Sequence, residues 1–220
     1  MKLPVLIFDV NETLLDVSAL ALPLSEVFGS PPPTGEWFAR LLHGSVVANY
    51  TGQYRPFGTI GSEALATLAR RRNVELSPEK AESIVASMLS LPPHPDVIPG
   101  LTKLSDAGFY LATLTNSSSQ AAAAQMRNAG LDGFFRSMIS VEEVQLFKPA
   151  PEVYRKASEL LAIELSQGLL IAAHDWDIAG AQAAGMPGAF IGRPGAIWGI
   201  PNLKPDLVVS DLVELADRIS

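Results

Sequence analysis

Val5-Leu6-Ile7-Phe8-Asp9-Val10-Asn11-Glu12-Thr13 is the stretch on which the reading of this chain turns. Four consecutive apolar residues read as a strand buried on both faces, the kind found inside a parallel sheet. Asp9 ends that run and opens a short polar turn, so its carboxylate stands at the C-terminal edge of the strand. In open α/β sheets that edge is where ligands bind. A carboxylate there can act as a nucleophile, passing through an ester or an acyl phosphate. It can equally cap the next helix. The rest of the chain has to separate those readings.

Past Asp9 the pattern becomes helical, with stretches near 35–50, 59–72 and 78–89 rich in Ala, Leu, Ser and Arg. Ser77 is placed to N-cap the third, with Pro78 at its first position. Pro31-Pro32-Pro33 and Pro92-Pro93-His94-Pro95 punctuate this segment like the hinges of a helical insertion. From Ile98 onward strands alternate with helices. Strands are expected at 110–115, 137–140, 169–173, 189–192 and 207–210, and helices at 121–128, 151–161 and 178–184. That alternation implies βαβ units, right-handed crossovers and a mostly parallel sheet.

The bulk composition narrows the function. In 220 residues, 48% hydrophobic and 18% charged, there is enough apolar material for a substantial core and too little charge for disorder. A net charge of −7 with a pI near 5.0 argues against nucleic-acid and anionic-membrane partners. Arg70-Arg71-Arg72 falls at an expected helix end, where it complements the helix dipole. With no cysteine, disulfides, thiolate metal sites and cysteine nucleophiles are excluded. No signal-peptide pattern and no long apolar run is visible, so a cytoplasmic protein without a membrane span is expected.

Polar features then recur at the ends of successive strands. Asp9 follows the first, Thr115-Asn116-Ser117 the second, Lys148-Pro149 lies after the third, and His174-Asp175-Trp176-Asp177 follows the fourth. Their convergence on one edge is what a catalytic constellation requires. Their spacing and order resembles the haloacid dehalogenase superfamily over essentially the whole chain. The family's nucleophilic Asp and the Thr four residues on are matched by Asp9 and Thr13, its Ser or Thr by Thr115, its Lys-Pro by Lys148-Pro149, and its acidic cluster in part by Asp177. The resemblance implies an α/β fold. A Rossmann-like parallel-sheet core would be formed by 1–14 and 96–220, with a helical cap domain inserted over 15–95.

Two departures bear on the chemistry. Phosphatases of this superfamily carry a second Asp two residues after the nucleophile, which protonates the leaving alkoxide. Here that residue is Asn11, whose amide delivers no proton. Their fourth motif also holds two separated carboxylates that help bind Mg²⁺, and five residues before Asp177 stands Ala172. Both losses suit the 2-haloacid dehalogenase branch, where a halide leaves without a proton and no metal is needed. The chain resembles that branch in Trp37 and Phe57, in Lys148 with Tyr154 downstream, and in Trp176-Asp177 before a Gly-Ala helix.

Carried over, Asp9 attacks C2 of a short 2-halocarboxylate and water then hydrolyses the ester at the Asp9 carboxyl carbon. Lys148 stabilises the Asp9 charge, and Asp177 positions Lys148 or the water. Thr115, Asn116 and neighbouring amides hold the substrate carboxylate, with Asn11 beside them. Phe57 and Trp176 form an apolar wall. Dehalogenases of the branch have an Arg directly after the cap Trp, but Phe38 stands here. Arg55 is therefore the cap residue expected to cradle the halide.

His174 is open between a general base for ester hydrolysis and a buried structural histidine. Tyr154 reads as core packing, Asp16 as a helix cap and Glu142-Glu143 as a solvated face. Ser117-Ser118-Ser119 reads as the start of the following helix. The expected partner is a small carboxylate substrate, with a homodimer through an apolar cap face as a further option. The alternative function is a phosphatase in which Asp9, Asn11 and Asp177 hold Mg²⁺. A non-catalytic binding protein that keeps the pocket is the third reading.

Overall fold

The computed structural model describes residues 4–220; residues 1–3, counted with the core above, lie outside the described residues. β1 (Val5–Phe8) is central in a six-stranded sheet, all parallel, with β2 (Tyr110–Thr115) on one side and β4 (Gly168–Ala172) on the other. β3 (Ser137–Ser140) flanks β2, while β5 (Gly188–Ile191) and β6 (Leu207–Val209) extend the other side, in the order β3-β2-β1-β4-β5-β6. The order reverses direction at β1, which makes its C-terminal end a topological switch point. Leu6, Ile7 and Phe8 are fully buried, as the unbroken apolar run requires.

Between β1 and β2 lie α1 (Ala21–Phe28), α2 (Thr34–Thr51), α3 (Phe57–Arg72) and α4 (Pro78–Ala86). Ser77 caps α4 by accepting from the Lys80 N–H, and Asp16 caps a short 3-10 turn ahead of α1 through the Ser18 N–H. The expected third helix ends earlier than its apolar pattern suggested, giving way to a 3-10 turn at Ser87–Ser90. Trp37 anchors α2 to α3 by donating its indole N–H to the Gly61 carbonyl at 3.0 Å.

Around the sheet pack α5 (Val97–Asp106), α6 (Ser119–Asn128), α7 (Pro151–Leu160), α8 (Asp175–Ala184) and α9 (Leu212–Ile219). The sequence reading does not contain α1, α5 or α9. α5 buries Val97, Leu101 and Leu104 along one stripe, and α9 buries Leu212, Leu215 and Ala216. These two short helices stabilise each other. A Cβ at Gly100 of α5 would lie 2.5 Å from the Leu212 Cβ, so the missing side chain is what allows them to touch. α8 starts three residues earlier than expected, which puts Asp175 and Asp177 in its first turn, where carboxylates complement the free N–H groups.

Candidate active site

The turn after β1 builds the centre. The N–H groups of Leu14 and Leu15 both donate to the Val10 carbonyl, and the Glu12 N–H donates to the Leu15 carbonyl. That closed turn forces Glu12 to φ 64°, a left-handed conformation uncommon for a residue with a side chain. Thr13 is directed back at the nucleophile: its hydroxyl donates to Asp9 Oδ2 at 2.6 Å while accepting from the Ala173 N–H at 3.0 Å. It thereby ties β1 to β4 across the switch point.

Lys148 is 99% buried, a location that an unpaired ammonium could not hold. Its Nζ donates to Asp9 Oδ1 at 2.7 Å, to Asp177 Oδ2 at 2.6 Å and to the Leu114 carbonyl at 3.0 Å, so all three donors are used. Asp177 is fully buried, and its second oxygen accepts from the Tyr154 hydroxyl at 2.6 Å. Tyr154 therefore does more than pack the core: it supplies a donor to a carboxylate that would otherwise lie half-satisfied. Asp177 holds Lys148, as one of its two expected roles requires. The other role, positioning the water, would fall to the lone pairs left on these two buried oxygens.

His174, just before α8, completes the first layer. Nδ1 lies 3.2 Å from Asp9 Oδ2 and Nε2 lies 2.7 Å from Glu12 Oε2. Two carboxylates make the imidazole a double donor. Burial alone would lower its pKa, but the hydrogen bonds to Asp9 and Glu12 outweigh that and push it up to about 9. At neutral pH with Asp9 ionised, His174 is a cation; the resting enzyme does not hold it as a free base. Its ring is stacked between Trp176, centroid at 4.9 Å, and Phe38, centroid at 6.1 Å. Phe38 thus lies over the centre from α2. For Asp9, burial would raise the pKa, but the Lys148 charge and the His174 bond outweigh it and hold the carboxyl well below its usual range. Lys148 is raised in turn: burial opposes its charge, and the Asp177 and Asp9 carboxylates more than restore it.

The remaining residues divide. Asn11 Oδ1 accepts from Gln125 Nε2 at 2.9 Å, and its Nδ2 donates to Ser117 Oγ at 3.3 Å. Asn116 Oδ1 accepts from the Lys148 N–H at 2.9 Å, which fixes the lysine's loop, and Thr115 Oγ1 accepts from the Ser117 N–H at 3.1 Å. Phe57 packs on Phe147 with centroids 6.0 Å apart and lines a 420 Å³ cleft with Met88, Ser117 and Gln125. Arg55 is not brought to the centre. Its Nε and Nη2 donate to the Glu63 carboxylate on the exposed side of α3, and Nη1 to the Gln53 carbonyl. An exposed carboxylate eight residues away in sequence is a nearer partner than anything the centre offers.

Sequence reasoning did not single out Glu12, Gln125 or Phe38 as contributors, and placed Ser117 at a strand end and a helix start without assigning it a partner. Ser118 is the actual cap of α6, accepting from the Ala121 N–H, and Glu142, on an exposed face, accepts the Ser119 N–H. The one available signal was Glu12 itself, an ionisable residue set inside the same tight turn as the nucleophile.

These donors do not suit Mg²⁺. Both Asp9 oxygens already meet cations or a hydroxyl, both Asp177 oxygens are taken, and Asn11 Oδ1 serves Gln125. A divalent cation there would also face the Lys148 and His174 charges. Among the described residues no cluster of three or more His, Cys, Asp or Glu side chains could hold a metal ion.

A parallel sheet whose central strand delivers a buried Asp to a Lys, a Thr and a second Asp at the switch point defines a class of hydrolase. The family model for haloacid dehalogenase-like hydrolases matches residues 3–185, and the chain belongs to that family. It is 28% identical over 217 residues to the (S)-2-haloacid dehalogenase H-109 of Pseudomonas putida, with 96% of each chain covered. A solved L-2-haloacid dehalogenase superposes with a TM-score of 0.91 at 25% identity, covering 100% of this chain and 99% of that one. The L-2-haloacid dehalogenase of Xanthobacter autotrophicus with chloropropionic acid covalently bound shares the fold, with a TM-score of 0.90 at 24% identity over 98% of each chain.

Proposed function

We propose that this protein removes halide from short 2-haloalkanoic acids through an ester on Asp9. The observation that carries the reading is the state of Asp9: an ionised carboxylate, buried, held by Lys148, Thr13 and His174, and followed two residues later by an amide instead of an acid. A nucleophile kept anionic in a site with little water attacks carbon well. A halide departs without a proton, so Asn11 costs this reaction nothing. Phosphate-ester cleavage would want both the acid and the metal that this donor set does not suit.

Lys148 keeps Asp9 ionised and, with Asp177 and Tyr154 behind it, keeps it aimed. Ser117, Asn11 and Asn116 offer polar contacts for the substrate carboxylate at the end of β2. The helical segment between β1 and β2 acts as a cap, closing over the centre through Phe38 and resting on the Lys148 loop through Asn49, which exchanges two 2.8 Å hydrogen bonds with the Phe147 backbone. The net charge of −7 suits a small-molecule substrate better than a nucleic acid. Incubation with (S)-2-chloropropionate should release free chloride; release no faster than from an Asp9→Asn control rejects the proposal.

A further inference from the structure

Beside Asp9 and its partners the structure keeps an open space. The 420 Å³ cleft lined by Phe57 lies between the start of α3, the end of α4 with its 3-10 turn, and the start of α6, so the cap forms one wall and the core the other. We propose that this cleft is the subsite for the substituent on C2 of the substrate. It suits the enzyme to 2-haloacids whose side chain is apolar and larger than methyl, such as a butyl or benzyl group. This rests on the ester reading above, and three observations carry it.

The first is continuity with the centre. Ser117, a contact for the substrate carboxylate, lines the cleft from the core side, and its Oγ accepts from Asn11 Nδ2, two residues beyond the nucleophile. Phe57 lines the cleft from the cap side and packs on Phe147, the residue before Lys148. A carboxylate held at Ser117 therefore leaves C2 at the inner end of the cleft, with this space in front of its remaining substituent. Elsewhere the walls are filled: Phe38 and Trp176 stack on His174, and Tyr154 lies behind Asp177.

The second is the chemistry of the lining. Val85, Met88, Leu89 and Ala121 give the cleft apolar surface, which favours burial of hydrocarbon. Glu82 is the one charged side chain in the lining, and its exposed carboxylate disfavours a second anionic group on the substrate. Gln125 is 1% exposed and spends its Nε2 on Asn11 Oδ1 and the Met88 carbonyl, so it braces the wall and offers a ligand little polar surface.

The third is size. A cavity of about 150 Å³ is enough to hold benzene. At 420 Å³ the cleft is far larger than a methyl group can fill, and it takes a phenyl ring or a four-carbon chain. Crowding does not account for the small residue at its edge. A Cβ at Gly58 would lie 3.6 Å from Val85 Cγ1, an ordinary contact, so the effect of glycine there is to leave the cleft open.

The test measures chloride release from (S)-2-chloropropionate, (S)-2-chlorohexanoate and (S)-2-chloro-3-phenylpropionate by wild type, Ala121→Leu and Val85→Phe. The first variant fills the cleft from the core side and the second from the cap side. Each methylene buried on binding is worth about fourfold, and the hexanoate carries three more than the propionate. With one side of the cleft open to water, we expect kcat/KM for both larger acids to exceed that for the propionate by about tenfold or more. The gain should fall in KM, since these contacts are made before and during the reaction alike. In both variants the ratio of larger acid to propionate should drop to about one or below. Each ratio compares two substrates on one enzyme, so a folding defect cancels. Wild type that turns over the propionate but handles neither larger acid better, or variants that slow all three acids equally, would overturn the subsite and leave the ester reading intact. No chloride from any of the three acids with wild type overturns the dehalogenation reading and this inference with it.

Discussion

Replacing Lys148 with Met removes the one cation that sits between two buried carboxylates while keeping a side chain of similar length. In the native site Nζ serves Asp9 at 2.7 Å and Asp177 at 2.6 Å, with the three side chains 1%, 7% and 0% exposed. Breaking a buried pair from one side typically costs 3–5 kcal/mol, because the partner stays behind uncompensated. Two partners are stranded here, but His174 still faces Asp9 and Tyr154 still donates to Asp177, so a loss of about 4 kcal/mol near neutral pH is expected. For a chain of this size that is a fall in Tm of roughly 8–16 °C. The pH dependence identifies the cause. Native Asp9 is held well below its usual pKa, so its contribution is present above the unfolded value of 3.8 and disappears as pH falls below it. Without Lys148, burial pushes the stranded carboxyls up, so the folded variant takes up protons more readily than the unfolded chain. Its stability then improves relative to wild type as pH falls from about 7 to about 5. Urea titrations at both pH values measure this. A loss under about 1 kcal/mol near neutral pH, or one equally large at both, would falsify the view that charge compensation is what Lys148 supplies.

Tyr154→Phe keeps the ring and deletes only the donor to Asp177; a loss of about 1.5–3 kcal/mol by the same titration is expected for a hydrogen bond to a charged group. Gly180→Ala puts a Cβ 2.5 Å from the Pro149 Cβ and 2.6 Å from the Tyr154 hydroxyl, so it should cost about 1–3 kcal/mol and lower kcat by displacing the Lys148 loop. Gly100→Ala, equally crowded but between α5 and α9, should cost stability with kcat unchanged, and equal kcat losses in the two would contradict this. His174 carries a raised pKa, so its stabilisation is fully present below the unfolded value of 6.5 and is lost as pH rises through about 9. Thermal melts across that range should show the decline in wild type, and in Glu12→Gln the decline should begin at lower pH.

Much of this was legible because it depends on local pattern. The Val5–Phe8 run had to be a central strand, and β2 and β3 fall where the alternation of apolar and turn residues put them. The nucleophile and Lys148 were readable because a charged residue at the end of a buried strand has few structural reasons to be there. What was not legible depends on tertiary contact. α5 and α9 are short helices stabilised by each other's apolar stripes, a relation no single window contains. Arg55 looked available until Glu63, on the same face of the fold, took its guanidinium. Tyr154 looked like packing because nothing in sequence tells a buried phenol with a carboxylate partner from one without. Glu12 escaped attention because its direction follows from a left-handed backbone, set by hydrogen bonds that close the turn from Val10 to Leu15.

The central claim is that Asp9 becomes esterified and that water attacks the aspartyl carbon, not the substrate. One turnover by excess enzyme in water labelled with heavy oxygen tests it directly. The label should appear in the Asp9 carboxylate, read from the mass of its peptide, and be absent from the 2-hydroxyacid product. Label in the product with an unlabelled Asp9 peptide would mean that water displaces the halide itself, and the account would be wrong.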